Sequence, residues 1–291
     1  MRNLIIINPV AARGLPLKAK TSIEKQLKEN NINYKLHISK SSQDIVLTVK
    51  KNLNNFNNFI GVGGDGTIHY IANALAGTEK NLGVIPMGSG NDISSNLGIP
   101  RDIKKSISII KKSNIKKMDL GIINQKYYYL GVAGTGFDSE VNDLANNTKL
   151  PIKGSSKYTY AVYAKLITFR SKEFSLSYNK KNNKVHAMMV AITNLPCYGG
   201  GMRVTPESDP FDGNFDICII KRMNKFHFVK IFPTVFEGKH ILDPHVEIFR
   251  SRKIKITCNY NFSVFADGEY ICKLPATFEL IPKSVNIILP G

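Results

Sequence analysis

Four of the six residues from Gly61 to Gly66 are glycine, and they join a branched apolar run, Phe59-Ile60-Gly61-Val62, to a stretch with helical apolar spacing at Ile68, Ile71, Ala72 and Leu75. Such a join has to be strand, tight turn, helix. The glycines let backbone N–H groups approach phosphate oxygens closely, and the helix start adds a favourable dipole. Three more short apolar runs, Leu4-Ile7, Tyr34-Ile38 and Leu82-Ile85, read as buried parallel strands. Between them, Ile23 with Leu27, and Ile45, Val46, Val49 and Leu53, form helical stripes. The pattern predicts a Rossmann-like α/β layer in which ligands sit beyond the carboxyl ends of the strands. Those ends are Asn8-Gly14, Gly63-Thr67 and Gly88-Asp92.

After about residue 121 the rhythm changes to short runs joined by turns such as Asp212-Gly213 and Asp267-Gly268. Strands are expected at Tyr127-Ala133, Phe174-Tyr178, Val185-Thr193, Phe215-Ile220, Val246-Phe249, Lys253-Thr257, Phe262-Phe265 and Thr277-Ile281, with helices at Lys157-Phe169 and Lys225-Phe236. The fold expected is an α/β nucleotide-binding domain over 1–121 and a mostly antiparallel, sandwich-like domain over 122–291. An active cleft would lie between them, and the last residues are free to return to the first domain.

Gly61, Gly63 and Gly66 also satisfy Gly-x-Gly-x-x-Gly, so a dinucleotide site has to be weighed. The strand ending near Pro86-Met87 supplies no acidic residue for a ribose diol, and Asp65 puts a carboxylate inside the phosphate cradle, where it would repel a bare anion. That placement makes sense if magnesium lies between carboxylate and phosphates, or if the carboxylate handles an incoming hydroxyl. Both point to phosphoryl transfer. No Gly-x-x-x-x-Gly-Lys-Ser/Thr motif occurs.

Gly63-Gly64-Asp65-Gly66-Thr67, preceded by Asn8-Pro9 and followed by Pro86-Met87-Gly88-Ser89-Gly90-Asn91-Asp92, resembles the bacterial diacylglycerol kinase-type lipid kinases, relatives of sphingosine kinases and NAD kinases. Gly134-Thr135-Gly136-Phe137-Asp138, Gly199-Gly200-Gly201-Met202 with Pro206, Asp212-Gly213 and Asp267-Gly268-Glu269 extend the resemblance over nearly the whole chain. It implies that Asn8, Pro9, Ser39, Gly63, Gly64, Asp65, Gly66, Thr67 and Ser89 hold ATP, and that Glu269 is the proton acceptor. It also implies that Asp209, Asp212 and the carbonyl of Asn214 bind a bracing magnesium ion, with Asp138 beside the cleft; Asp92 and Asp138 are candidates for a network around the site. Ala12 stands where a second glycine is usual, and Phe211 replaces the first Asp of the usual Asp-Asp-Gly.

The residues themselves add modest support. Glu269 follows a tight-turn pair, where a strand-tip carboxylate can reach an alcohol and take its proton; a solvated hairpin carboxylate is the other reading. Asp92 and Asp138 could equally be helix caps. In the aromatic-basic segment Lys157–Lys165, the stripe Tyr160, Tyr163, Ala164 and Ile167 reads as core packing in preference to a lining for an acyl channel or a bilayer contact. Lys104, Lys105, Lys111, Lys112, Lys116 and Lys117 surround a predicted helix, as its solvated face or as a contact for anionic lipid.

The 40 Lys and Arg against 22 Asp and Glu leave a net charge of +18, which invites polyanionic company or reflects a Lys-, Asn- and Ile-rich composition. No run of 18 apolar residues occurs, and the first ten residues lack a signal-peptide core, so a cytoplasmic protein at the inner membrane surface is expected. Cys197, Cys218, Cys258 and Cys272 form no Cys-x-x-Cys pair, and His240 and His245 lack the i, i+4 spacing of a zinc enzyme. The expectation is an ATP- and Mg²⁺-dependent kinase of a diacylglycerol-like lipid, acting on anionic membranes, with no nucleic-acid partner and a homodimer left open. The alternatives are a kinase of a sphingoid base, another glycerolipid or NAD, and a non-catalytic binder of anionic lipid or nucleic acid.

Overall fold

In the computed structural model, which describes residues 2–148 and 155–291, the chain divides into two compact units: 1–120 with 282–291, and 121–281. The first alternates β1 (Asn3–Ile7), a short α1 (Leu15–Lys18), α2 (Lys20–Glu29), β2 (Tyr34–Ile38), α3 (Ser42–Lys51), β3 (Asn58–Gly63), α4 (Asp65–Leu75), β4 (Asn81–Pro86), α5 (Asp92–Asn96) and α6 (Ile103–Lys112). The strands run parallel in the order β2-β1-β3-β4. Every residue of β1, β3 and β4 is buried, which is why their apolar runs show no alternation. Helical stripes cover the sheet through Ile23, Leu27, Ile107 and Ile110. Ser41 and Asp102 cap α3 and α6 by accepting from the N–H groups of Asp44 and Lys105. Asn3, Asn58 and Asn81 lie in register across the sheet, and their side chains hydrogen-bond in series at 2.8 Å, so buried polar groups on neighbouring strands satisfy one another. Chain crosses the unit boundary in β5 (Asn114–Ile123) and again in β15 (Ala276–Leu289), whose Asn286 and Ile287 pair with β4. Lys116 and Lys117, expected beside a helix, lie in β5.

The second unit is built on antiparallel pairing. β6 (Tyr127–Tyr129), β7 (Val132–Gly136), α7 (Phe137–Asn147), α8 (Ser155–Thr168), β8 (Lys172–Tyr178), β9 (Lys181–Thr193), β10 (Phe215–Lys221), α9 (Lys225–Ile231), β11 (Val246–Ser251), β12 (Lys253–Cys258), β13 (Ser263–Ala266) and β14 (Glu269–Lys273) follow in sequence. Their order is β14-β13-β7-β9-β8-β12-β15, with β10 pairing β9 and β11. The single run expected at Tyr127-Ala133 breaks after Tyr129 because the N–H groups of Leu130 and Gly131 donate to the Asp267 carboxylate at 2.9 and 2.8 Å. The helix expected over Lys225-Phe236 stays α-helical to Ile231 and tightens to 3₁₀ over Phe232–Glu237, where Pro233 cannot donate.

One helix face is rotated from its expected position. Tyr160 and Tyr163 of α8 are about two-fifths exposed and Ile167 is 72% exposed, while Ala161, Val162 and Leu166 are buried. The small and branched side chains fit against the packed interior of the unit, and the tyrosines are displaced outward, Tyr163 resting edge-on against Phe232.

Candidate active site

Parallel register puts the carboxyl ends of β1, β2, β3 and β4 along one edge of the first unit, since Ile7 pairs with both Ile38 and Val62, and Gly63 with Pro86. Asn8 donates through Nδ2 to Thr67 Oγ1 at 3.1 Å. Gly63 has to be glycine there, because a Cβ would lie 2.3 Å from that hydroxyl. A Cβ on Gly88 would lie 2.2 Å from the Gly64 Cα, so the two glycine loops meet backbone against backbone. Asn91 ties the second loop, accepting from Gly88 N–H and donating to its carbonyl, both at 2.7 Å. Ser39 is buried, with its hydroxyl on the Ile7 carbonyl, and Ser89 is exposed. Pro9 is half-buried beside Asn8.

Asp65 accepts from the backbone N–H groups of Asp92 (3.1 Å) and Ile93 (2.9 Å), one to each carboxylate oxygen. The first turn of α5 is therefore capped by Asp65, whereas Asp92 occupies its first helical position after Asn91. A Cβ on Gly90 would lie 3.0 Å from an Asp65 oxygen and 3.6 Å from an Asp92 oxygen, so two carboxylates converge on this loop. Hard oxygen donors in that arrangement fit magnesium. Arg101, which the sequence reading passed over, hydrogen-bonds the Gly90 carbonyl beside them.

In the second unit, Asp267 and Gly268 take positive φ and close the hairpin whose next residue is Glu269, paired with Ala266 and half-buried. Asp209 and Asp212 each give one oxygen to an N–H inside their turn, those of Phe211 and Asn214. Arg250 stands 3.5 Å from the other Asp212 oxygen and bonds Asp216 at 3.0 Å, so a guanidinium serves the turn where the resemblance implies a metal.

The same unit encloses an apolar cavity of about 60 Å³ between Phe137, Val162, Met189, Phe228, Phe232 and Val235. Its polar groups are few. Asp138, in the first turn of α7, caps nothing; its carboxylate accepts from the Tyr198 hydroxyl at 2.5 Å. Burial pushes the Asp138 carboxyl up to about 6, partly offset by that hydrogen bond. Gly134 makes the room, since a Cβ there would lie 2.0 Å from Asp138 Oδ2. Gly199, Gly200 and Gly201, all at positive φ, close a turn that pairs Tyr198 with Met202, and both ends line the cavity. His240, also lining it, gives Nε2 to the Val204 carbonyl at 3.1 Å. Its buried Nδ1 has no hydrogen-bond partner among the described residues, and burial lowers its pKa. Sequence reasoning missed Tyr198 and His240; the only signal for Tyr198 was the glycine run beside it.

A parallel sheet with glycine-aspartate loops at its carboxyl edge, joined to an antiparallel unit, defines a class of two-unit kinases, and comparison with known proteins gives the family. Residues 2–123 match the diacylglycerol kinase catalytic domain, and residues 131–289 match the YegS C-terminal NAD kinase beta sandwich-like domain. A diacylglycerol kinase of Mycobacterium tuberculosis is 30% identical over 98% of this chain and 94% of its own length, and one of Bacillus subtilis is 28% identical over 99% and 96%. The chain belongs to the diacylglycerol kinase family, which makes it a lipid kinase. The fold is shared with a crystal structure of a diacylglycerol kinase from Bacillus anthracis (TM-score 0.77, 21% identity, covering 100% of this chain and 97% of that one). A second crystal structure from that organism reaches a TM-score of 0.82 at 24% identity, with the same coverage.

Proposed function

We propose that the protein uses ATP and magnesium to phosphorylate the free hydroxyl of a diacylglycerol-like lipid, giving a phosphatidate-like product at the inner membrane surface. The observation that carries the reading is the apolar cavity of the second unit, with its Asp138–Tyr198 pair. A cavity lined almost wholly by hydrocarbon suits an acyl chain, and a few convergent polar groups suit a glycerol end. About 60 Å³ admits a few methylenes, so a long chain enters only as its walls part.

The strand-end loops would take the nucleotide: backbone N–H groups at Gly63–Gly66 toward phosphate, Asn8 and Thr67 holding the loop, and Pro9, Ser39 and Ser89 along the same edge. Asp65 and Asp92 would hold magnesium, which supplies charge neutralisation on the transferring phosphoryl group when bound. Glu269 would accept the hydroxyl proton as the oxygen attacks. A bracing ion on Asp209, Asp212 and the Asn214 carbonyl would share Asp212 with Arg250.

Membrane association fits the outward residues of the cavity wall. Phe226 (90% exposed) on α9 and Leu242 (81% exposed) lie on segments whose other residues line the cavity, as does Ile167, and Lys225, Lys230 and Lys239 are exposed among them. Among the described residues no helix is long and apolar enough to cross a membrane. The reading is tested by presenting diacylglycerol, a sphingoid base and NAD in turn with labelled ATP. Label in diacylglycerol alone supports it; label in another alcohol reassigns the acceptor.

A further inference from the structure

His227, Asp243 and His245 come together in the second unit from two separate segments. His227 lies in the first turn of α9, and the other two lie in the turn leading into β11. The Asp243 carboxylate sits between the rings, with Oδ2 2.9 Å from His227 Nε2 and Oδ1 2.9 Å from His245 Nδ1. The ring centroids are 4.9 Å apart, and one donor atom from each residue lies within 4.8 Å of the other two. Tetrahedral ligands at bonds of ~2.0–2.2 Å stand ~3.3–3.6 Å apart, so the 2.9 Å hydrogen-bonded pairs have to open by about half an ångström and the widest pair of donor atoms has to close by up to about 1.5 Å, side-chain adjustments that turn this cluster into a ligand set.

We propose that His227, Asp243 and His245 bind a divalent first-row transition ion, zinc foremost, with solvent completing the coordination. Two imidazole nitrogens and one carboxylate suit zinc, cobalt or nickel, whereas magnesium and calcium take oxygen ligands. The carboxylate is prepared for the task. The His245 backbone N–H donates to Asp243 Oδ1 at 2.9 Å. That backbone bond fixes the carboxylate orientation, as an outer-shell partner does. The rings keep part of their surface open, 32% and 39% of the side chain, so solvent and an ion can reach them.

The consequence is mechanical. α9 contributes Phe228 and Ile231 to the cavity wall, and His240 and Val246 line it on either side of the Asp243-His245 pair. An ion held between these segments pins two pieces of one wall. The site shares no residue with the phosphate loops and does not depend on which alcohol is phosphorylated.

The test uses the full-length protein, stripped of metal and titrated with Zn²⁺ by calorimetry and thermal melting, and with Co²⁺ by visible absorption. The comparison is the His227→Gln, His245→Gln double variant, whose amide N–H groups can still donate to Asp243 and preserve the fold. Wild type should bind one Zn²⁺ with a rise in melting temperature, and magnesium in excess should not displace it. The double variant should bind ~10³-fold or more weakly, beyond the ~10–100-fold that outer-shell changes alone cost, and should lack the cobalt band. Asp243→Asn provides a second variant if the first melts early in the metal-free state. Equal zinc affinity in wild type and variant, or no zinc response in wild type, overturns the proposal and leaves a hydrogen-bonded clamp.

Discussion

Asp138 gives the sharpest quantitative handle on the second unit. A carboxyl whose pKa rises from its ordinary 3.8 to about 6 on folding binds its proton more tightly in the native state. Its contribution to stability is fully present below pH 3.8 and is lost as pH rises through 6. At 1.36 kcal/mol per pH unit, that loss is about 3 kcal/mol, of which about 2 kcal/mol falls between pH 4.5 and 7. Asp138→Asn removes the titration and keeps the shape. The stability of the variant minus that of wild type, from urea unfolding at half-unit steps, should therefore grow by about 2 kcal/mol from pH 4.5 to 7 in favour of the variant. Taking the change with pH cancels any fixed cost of altering the Tyr198 hydrogen bond. Tyr198→Phe deletes the one contribution that lowers this pKa, so it should move the transition to higher pH. A difference that stays flat across the range, or that grows toward acid, would refute a carboxyl desolvated in an apolar cavity.

Gly134→Ala drives a methyl to within 2.0 Å of Asp138 Oδ2, so it should cost about 1–3 kcal/mol in urea unfolding, and Asp138→Ala should relieve part of that cost in the double variant. Asp65→Asn replaces one of two amide-accepting oxygens with a donor, so it should lower the melting temperature measurably and lower kinase activity by ~10²-fold or more; activity within threefold of wild type would sink the assignment. Vesicle binding should need anionic lipid, fall as salt shortens the screening length from ~10 Å to ~3 Å, and weaken in Phe226→Ser, Leu242→Ser. Phe226→Trp, the only tryptophan in the chain, should shift its emission to the blue on those vesicles. Magnesium without ATP should raise the melting temperature of wild type more than that of Asp212→Ala; an identical response in both would remove the bracing site.

What the sequence discloses follows the physics that is local. β1 to β4 are legible because buried parallel strands are short, branched and uninterrupted, and the glycine loops because a close backbone approach tolerates no Cβ, as at Gly64 and Gly88. The Asp267-Gly268 hairpin is legible for a different local reason, since both residues take positive φ. Long-range polar contacts leave no such trace. Nothing near Leu130 announces that its N–H will meet Asp267, and nothing near Asp65 announces that it will cap α5 from 27 residues away. The buried face of α8 is not legible because two tyrosines at helical spacing look like core, whereas packing selects the smaller Ala161 and Val162. His227 and His245 are unreadable as a pair because 17 residues stand between them, in the rest of α9 and two 3₁₀ helices of different geometry.

The central claim is tested most directly by incubating the protein with labelled ATP, magnesium and a total lipid extract, and identifying every labelled product by mass. The account predicts one dominant labelled species, diacylglycerol plus a single phosphate, abolished by chelating magnesium and reduced strongly in Glu269→Gln with ATP binding retained. Label in no lipid under any condition, from protein that is folded and bound to anionic vesicles, would contradict it.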